Sequence, residues 1–221
     1  MNRETKVNDI TKTKGLTQLA LFAALIIIMA FVPFIGYIPL GFTRATIIHI
    51  PVIIASLMMG PKKGAALGAV FGLTSLINNT VNPTVTSFVF TPFYSLGNVS
   101  GGWQSLIICF VPRILIGVVP FYVYRLVGRF AKDKSKPSVT GLALAGLSGA
   151  LTNTLLVMNM IYIFFGNSYA EAREVAVDTI YKVILGVITV NGIPEAIVAA
   201  IMVVLIGKVL MSKKVMKNIG V

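Results

Sequence analysis

Apolar runs of roughly 16–25 residues recur along this chain, separated by short segments that carry most of its charge. An α-helix needs about 20 apolar residues to cross the hydrocarbon core of a bilayer, so runs of this length constrain the fold more than any other feature. Charged residues make up only 12% of the sequence, against about 25% in soluble domains. Because a soluble bundle would need more polar surface, the sequence predicts a polytopic membrane protein.

We predict an all-α membrane protein with six transmembrane helices, forming a single integral membrane domain over residues 1–221. Prolines and glycines that interrupt the apolar runs set the boundaries, as in the segment GPKKG at residues 60–64. The predicted helices cover approximately residues 16–35, 43–59, 64–78, 105–127, 138–165 and 183–210.

The distribution of basic residues predicts the orientation. If both termini are cytoplasmic, 15 of the 19 lysines and arginines lie on the inner side of the membrane, as the positive-inside rule requires. Residues 1–14 then form a cytoplasmic tail, and residues 79–104 and 166–182 form the outer loops. The net charge of +12 is explained by these short basic segments, so it does not indicate nucleic-acid binding.

Polar groups inside the predicted helices are few, and charged groups there mark functional sites by default. The candidate substrate-binding residues are Arg113, Asn191, Asn159, Asn153, His49, Asn78 and Glu195. With a rise of 1.5 Å per residue, most of them fall in the outer half of the membrane or near its midplane. This distribution favours a pocket that opens outward over a channel, which would need polar residues at every depth.

Arg113 has two interpretations. Its guanidinium stays charged and matches a carboxylate or phosphate, which predicts an anchor for an anionic substrate. The alternative is a permanent ion pair with Glu195, the only acidic residue predicted within the membrane. Glu195 follows Asn191 by one helical turn, so these two residues share a face.

The other polar candidates also have structural alternatives. His49 suits packing or a hydrogen bond to a loop as well as ligand contact. Asn153 continues a stripe of small residues at steps of four, Gly141, Ala145 and Gly149, so it suits a bond to a neighbouring helix. Asn159 lies about 240° further around the same helix, so a straight helix does not direct both asparagines at one small ligand.

Motifs for catalysis, metal binding and cofactor binding are missing. The sequence has no GxxxxGK[ST] phosphate loop, no HExxH and no GxSxG. Its single cysteine, Cys109, excludes an internal disulfide and a CxxC site. We therefore expect a protein with no cofactor and no resident metal, and not an enzyme.

Several features together resemble the S components of energy-coupling factor (ECF) transporters, which are substrate-binding membrane subunits for vitamins. They are six short helices, Ala20-xxx-Ala24 in the first helix, IHIPVII at residues 48–54, the Gly60-Pro61 turn, and NGIPEA at residues 191–196. The resemblance covers nearly the whole chain.

The resemblance implies a multi-pass subunit of the bacterial cell membrane without enzymatic activity of its own. Such a subunit captures a vitamin from outside, in a pocket closed by the outer loops, and is thought to topple in the membrane to release it inward. It docks through its first helix on a transmembrane coupling subunit, the T component, which two cytoplasmic ATPases drive. Ala20 and Ala24 then face that partner, whereas the alternative is packing inside the bundle.

Among S components, the chain is most similar to the pantothenate-type members, in the segment TIIHIPVII and in VPRILIGVVP around Arg113. Pantothenate is anionic and carries hydroxyl and amide groups, which suit one arginine with asparagines and threonines. One alternative is an S component for another vitamin or precursor, such as folate, riboflavin or hydroxymethylpyrimidine. The other is a self-sufficient secondary transporter coupled to protons through Glu195 and His49.

Overall fold

The computed structural model describes residues 3–32, 36–39, 44–130, 137–212 and 215, with side chains for residues 13–32, 36, 46–130, 137–212 and 215. The helices are α1 (Arg3–Phe31), α2 (His49–Met59), α3 (Pro61–Val81), α4 (Trp103–Ile116), α5 (Val119–Gly128), α6 (Val139–Ala172), α7 (Ile180–Val187) and α8 (Ile193–Leu210). Two short antiparallel pairs join β1 (Tyr37–Pro39) to β2 (Arg44–Thr46) and β3 (Ser95–Leu96) to β4 (Val99–Ser100). Short helical turns cover Ser87–Val89, Val177–Thr179 and, with π-helical geometry, Ile188–Gly192.

Within the part of the chain that the structure describes, five helical segments are long and apolar enough to cross a membrane: Thr13–Phe31, Pro61–Val81, Trp103–Gly128, Val139–Ala172 and Val177–Leu210. The apolar helix α2 has only 11 residues, or about 16 Å of rise, against a hydrocarbon core of about 30 Å. The protein is therefore a helical multi-pass membrane protein. Six complete spans and cytoplasmic termini stay predictions.

Several predicted boundaries were wrong, because local backbone breaks decide them. The second helix begins at His49 rather than near residue 43, and Thr46 lies in β2. The fourth helix is divided at Gly117, next to Pro120 in the first turn of α5. The fifth helix continues to Ala172, with a kink at Phe165 where φ is −133° and ψ is 19°.

The two ends of the chain also differ from the predicted boundaries. Helix α1 begins at Arg3, so much of the segment predicted as a cytoplasmic tail is helical. The predicted end of the first helix, at residues 33–35, lies outside the described residues. The sixth helix begins earlier than residue 183, with α7 starting at Ile180.

The glycines at steps of four in α3 pack α3 against α4. A Cβ on Gly64 would clash with the carbonyl of Gly117, and one on Gly68 would clash with the backbone of Arg113. A Cβ on Gly72 would lie 2.8 Å from the Phe110 ring. The glycine stripe of α3 therefore packs within the bundle, and it holds the backbone of α4 at Arg113 directly against α3.

The helix pairings define two ends of the bundle. The turn end contains Gly60 between α2 and α3, and the break at Gly117, whose carbonyl accepts a 2.5 Å bond from Ser56 Oγ. The loop end contains residues 82–102 and the C-terminal part of α6, because the Phe88 and Phe165 rings meet edge to face at 5.8 Å. The first residues of α2 also lie at the loop end, since α2 runs from there to the Gly60 turn.

Two apolar clusters fill the interior. The larger lies toward the turn end and joins α1, α2, α3, α6 and α8 through residues such as Ile53, Leu142 and Ala199. The smaller lies at the loop end and joins residues 88–99 to α4, α6 and α7 through residues such as Phe88 and Ile161. Residues 82–102 are therefore a packed cap rather than a loose connection.

Candidate functional site

Buried polar side chains lie between the two apolar clusters. On α4, Arg113 stands between Ile108 of the loop-end cluster and Ile116 of the turn-end cluster. These side chains, called the polar layer below, are at most 8% exposed and consist of His49, Arg113, Asn153, Thr154, Asn191 and Glu195. Five of the seven predicted substrate-binding residues belong to this layer, and Thr154 is an addition.

Arg113 owes its orientation to the preceding proline. Pro112 has no N–H, so the carbonyl of Ile108 loses its helical partner, and Arg113 Nη1 donates to that oxygen at 2.9 Å. The side chain therefore runs back toward the start of α4, as long helical side chains do. This direction takes the guanidinium toward the loop end.

Two aromatic rings cover the Arg113 guanidinium. Its Cζ lies 5.7 Å from the centre of the Phe71 ring on α3 and 5.1 Å from that of Phe90 in the cap. Both distances fall within the range of cation–π attraction. A buried guanidinium stays charged and has the geometry to receive a carboxylate or a phosphate.

The cap that supplies Phe90 is fixed by hydrogen bonds to α3 and α4. Ser87 Oγ donates to Asn79 Oδ1 at 2.9 Å, and the hydroxyls of Thr80 and Thr91 lie 2.7 Å apart. On the other side, Ser105 Oγ donates to the carbonyl of Phe88 at 2.7 Å. The cap therefore holds Phe90 in place over Arg113.

Glu195 and Asn191 are positioned by a break in the last span. Pro194 cannot donate to the carbonyl four residues earlier, and the chain forms the π-helical turn Ile188–Gly192 directly before it. Such turns inside helices are frequent at functional sites. Because Gly192 has no side chain, Thr154 of α6 approaches this turn closely, and Thr154 also lies beside the Glu195 carboxyl.

The Glu195 carboxylate ties α8 to the connection before α2. Its Oε1 accepts a 2.7 Å hydrogen bond from the backbone N–H of Thr46, a residue 149 positions away in the sequence. Thr46 ends β2, opposite Tyr37 of β1. The β1–β2 pair is therefore attached to the polar layer through Glu195.

The hydrogen bonds described for Arg113 and for Glu195 run to different elements. Arg113 donates to Ile108, whereas Glu195 accepts from Thr46. The Arg113 guanidinium and the Glu195 carboxyl are close enough to interact electrostatically. The site thus holds a guanidinium that contacts the cap and a carboxyl that is bonded to the β1–β2 pair.

His49 and Asn153 are buried with polar atoms that lack hydrogen bonds. His49 is 0% exposed and Asn153 is 8% exposed. Neither ring nitrogen of His49 has a hydrogen-bond partner, and the same holds for Asn153 Oδ1. The backbone of Thr46 lies near the imidazole but does not meet hydrogen-bond geometry.

Two predicted residues lie outside the polar layer. Asn78 is half-buried near the end of α3, and its Oδ1 accepts a 3.1 Å bond from Asn82. Asn159 is also half-buried, and its Nδ2 donates to the carbonyl of Leu155 in the same helix at 2.7 Å. Because the kink of α6 lies beyond Asn159, at Phe165, it does not bring Asn159 to the side of Asn153. A ligand contact for Asn78 or Asn159 stays a prediction.

Sequence reasoning missed Thr46, Thr154 and Phe71. Thr46 contributes a backbone N–H, which leaves no mark in the side-chain pattern. Phe71 lies in an apolar run where any large residue would fit the pattern equally well. Thr154 had a detectable signal, since it is a polar residue directly after Asn153 in a helix predicted to cross the membrane.

Ala20 and Ala24 lie on an exposed face of α1. Large apolar side chains flank them on this face, with Leu16 65% exposed on one side and Ile28 53% exposed on the other. The two alanines thus form a shallow groove along the helix, where another helix can approach closely.

Known proteins are similar to this chain over most of its length. A family model described as "ECF transporter, substrate-specific component" matches residues 14–207. The "Pantothenic acid transporter PanT" of Lactococcus lactis subsp. cremoris (strain MG1363) is 35% identical over 198 residues, which cover 86% of this chain and 96% of the relative. The "Pantothenate transporter PanT" of Leuconostoc mesenteroides subsp. mesenteroides is 29% identical over 204 residues, which cover 90% of this chain and 93% of the relative. These matches confirm the resemblance found in the sequence, and the chain belongs to the family of substrate-specific components of ECF transporters.

Proposed function

We propose that this chain is the substrate-binding subunit of an ECF-type ABC importer in the bacterial cell membrane, and that its substrate is pantothenate. The names of the two relatives support the choice of vitamin. The observation that carries the proposal is the buried Arg113 guanidinium, which contacts two aromatic rings inside the polar layer.

Arg113 binds the carboxylate of pantothenate in this proposal. An arginine offers two parallel N–H donors to a carboxylate, and this geometry is stronger and more specific than a single point charge. In the dry interior that the rings of Phe71 and Phe90 create, the attraction is stronger than in water. The uncharged polar groups of the layer remain for the amide and hydroxyl groups of the vitamin.

Delivery to the cytoplasm requires partners. We propose that the exposed groove at Ala20 and Ala24 docks on the transmembrane coupling subunit. We also propose that two cytoplasmic ATPases supply the energy, because the sequence of this chain has no phosphate loop for ATP hydrolysis. Both termini are then cytoplasmic, and residues 79–104 and 166–182 face the outside, in agreement with the distribution of basic residues. The cap over Arg113 then closes the pocket on the outer side.

Mass spectrometry of the small molecule that co-purifies with the isolated subunit tests the substrate. We expect pantothenate, and we expect the emptied subunit to bind it in a titration in which folate, riboflavin and hydroxymethylpyrimidine do not compete. If one of those three compounds bound more tightly, that compound rather than pantothenate would be the substrate, and the family assignment would be unaffected.

Uptake measurements test the requirement for partners. Cells that express this chain with the coupling subunit and both ATPases should accumulate labelled pantothenate, and cells that express the chain alone should not. If the chain alone concentrated pantothenate, and a protonophore stopped this uptake, the chain would be a proton-coupled secondary transporter and the proposal would be wrong.

A further inference from the structure

His49 and Asn153 lie at matching positions on neighbouring antiparallel helices. Ile53 of α2 packs directly against Gly149 of α6. One turn from that contact toward the loop end, α2 presents His49 and α6 presents Asn153. Since residues one turn apart lie on the same helix face, the register brings these two polar side chains to the same level of the α2–α6 interface.

Their polar atoms are buried without partners. The orphan atoms are both ring nitrogens of His49 and the Oδ1 of Asn153. Buried polar atoms in proteins nearly always have hydrogen bonds, and each exception calls for an explanation. Two exceptions at one level of one interface indicate a place where a polar group from outside the chain completes the bonding.

The chemistry of the orphan atoms selects the group. Asn153 Oδ1 only accepts a hydrogen bond, so it needs a donor. A neutral imidazole has one donor nitrogen and one acceptor nitrogen. A hydroxyl serves both partners at once, because it donates to the amide oxygen and accepts from the imidazole N–H. An amide N–H can only donate, and the C=O of the same trans amide points to the opposite side, so one amide does not serve both side chains at one level. A methyl group can do neither.

We propose that His49 and Asn153 form a subsite that recognises a hydroxyl group of the substrate, at the α2–α6 side of the polar layer. Arg113 lies on α4 and contacts α3 and the cap, so the subsite and the arginine lie on different helices. This inference rests on the proposed function, in which Arg113 takes the carboxylate. A ligand with a carboxylate at one end and hydroxyls at the other is bound from both ends.

The subsite makes a prediction that a packing role does not. If His49 and Asn153 were only structural, replacing them would weaken the fold. In a subsite, their unpartnered atoms destabilise the ligand-free protein. His49→Phe and Asn153→Leu should therefore leave its melting temperature unchanged or raise it. Both variants should lose most of the increase in melting temperature that pantothenate produces in the wild type.

Binding titrations with two deoxy analogues, each with one hydroxyl of pantothenate replaced by hydrogen, provide the test. The wild type should bind one analogue at least tenfold more weakly than pantothenate. Asn153→Leu and His49→Phe should bind pantothenate at least tenfold more weakly than the wild type, and should no longer distinguish it from that analogue. Thr140→Val, which replaces an exposed polar residue near the start of the same helix, serves as the control with wild-type affinity.

The outcomes separate this inference from the proposed function. Wild-type affinity in both variants, undiminished discrimination against the deoxy analogue, or a clear loss of stability in both ligand-free variants would overturn the hydroxyl subsite and leave pantothenate as the substrate. Failure of the wild type to bind pantothenate would overturn the proposed function, and this inference with it.

Discussion

Replacing Arg113 separates its two interpretations. If Arg113 binds the substrate carboxylate, Arg113→Ala removes two charge-assisted hydrogen bonds, each worth about 1.5–3 kcal/mol. Because about 1.4 kcal/mol corresponds to a tenfold change in affinity, we expect pantothenate to bind about 10² to 10⁴-fold more weakly. Arg113→Lys keeps the charge but not the fork, so its affinity should fall between those of the wild type and the alanine variant.

The structure also predicts an effect of Arg113→Ala on stability. The substitution leaves the carbonyl of Ile108 without its 2.9 Å donor, which costs about 1–3 kcal/mol in a buried site. It also removes the cation–π contacts with Phe71 and Phe90, worth about 0.5–2 kcal/mol each. Thermal unfolding of each variant in detergent should therefore accompany the titrations, which are run well below the lowest melting temperature.

An analogue whose carboxylate is reduced to a primary alcohol completes a double-mutant cycle. The wild type should bind this neutral analogue far more weakly than pantothenate, and Arg113→Ala should bind both ligands with similar affinity. Arg125→Ala removes an exposed arginine near the end of α5 and is the control for net charge. Equal losses of affinity for both ligands in Arg113→Ala would refute carboxylate binding and support a structural ion pair with Glu195.

Two further predictions concern the partner surface and the buried carboxyl. Ala20→Trp or Ala24→Trp should abolish co-purification with the coupling subunit and leave pantothenate binding by the isolated subunit unchanged; weaker binding would instead show that these alanines pack internally. Glu195→Gln keeps an acceptor for the Thr46 N–H but removes a negative charge from the site, so the affinity for an anionic ligand should stay the same or rise. A fall of more than tenfold in a titration, or a loss of several kcal/mol of stability, would contradict that expectation and support a permanent pair with Arg113.

The residues around Arg113 show how far a sequence can lead toward a site. A charged residue in an apolar run is costly in a membrane, so its position alone makes it a candidate. The sequence also contains the cause of its orientation, since Pro112 removes the N–H that would otherwise bond to Ile108. The sequence does not contain the identity of the rings that cover the guanidinium, because Phe71 and Phe90 resemble many other aromatic residues in the chain.

The glycine stripe of α3 shows the same difference between what the sequence predicts and what the structure reveals. Glycines at steps of four in α3 predict a close helix contact, and that contact exists. Only the packed structure reveals that the partner is α4 and that the contact holds the backbone of Arg113 against Gly68. The spacing of glycines along one helix shows which face is lined by small residues. It contains no information on which helix packs against that face.

The sequence by itself determined that this is a helical multi-pass membrane protein, that its polar groups are few, and which family it resembles. Length, hydropathy and motifs are local properties, so they can be determined from the sequence without a structure. The tertiary structure alone decided that His49 and Asn153 lie at one level, that Glu195 bonds to Thr46 across 149 residues, and that Asn78 and Asn159 lie apart from the polar layer. These relations depend on helix register and on breaks at Gly117, Phe165 and Ile188–Gly192, which the packing of the whole bundle sets.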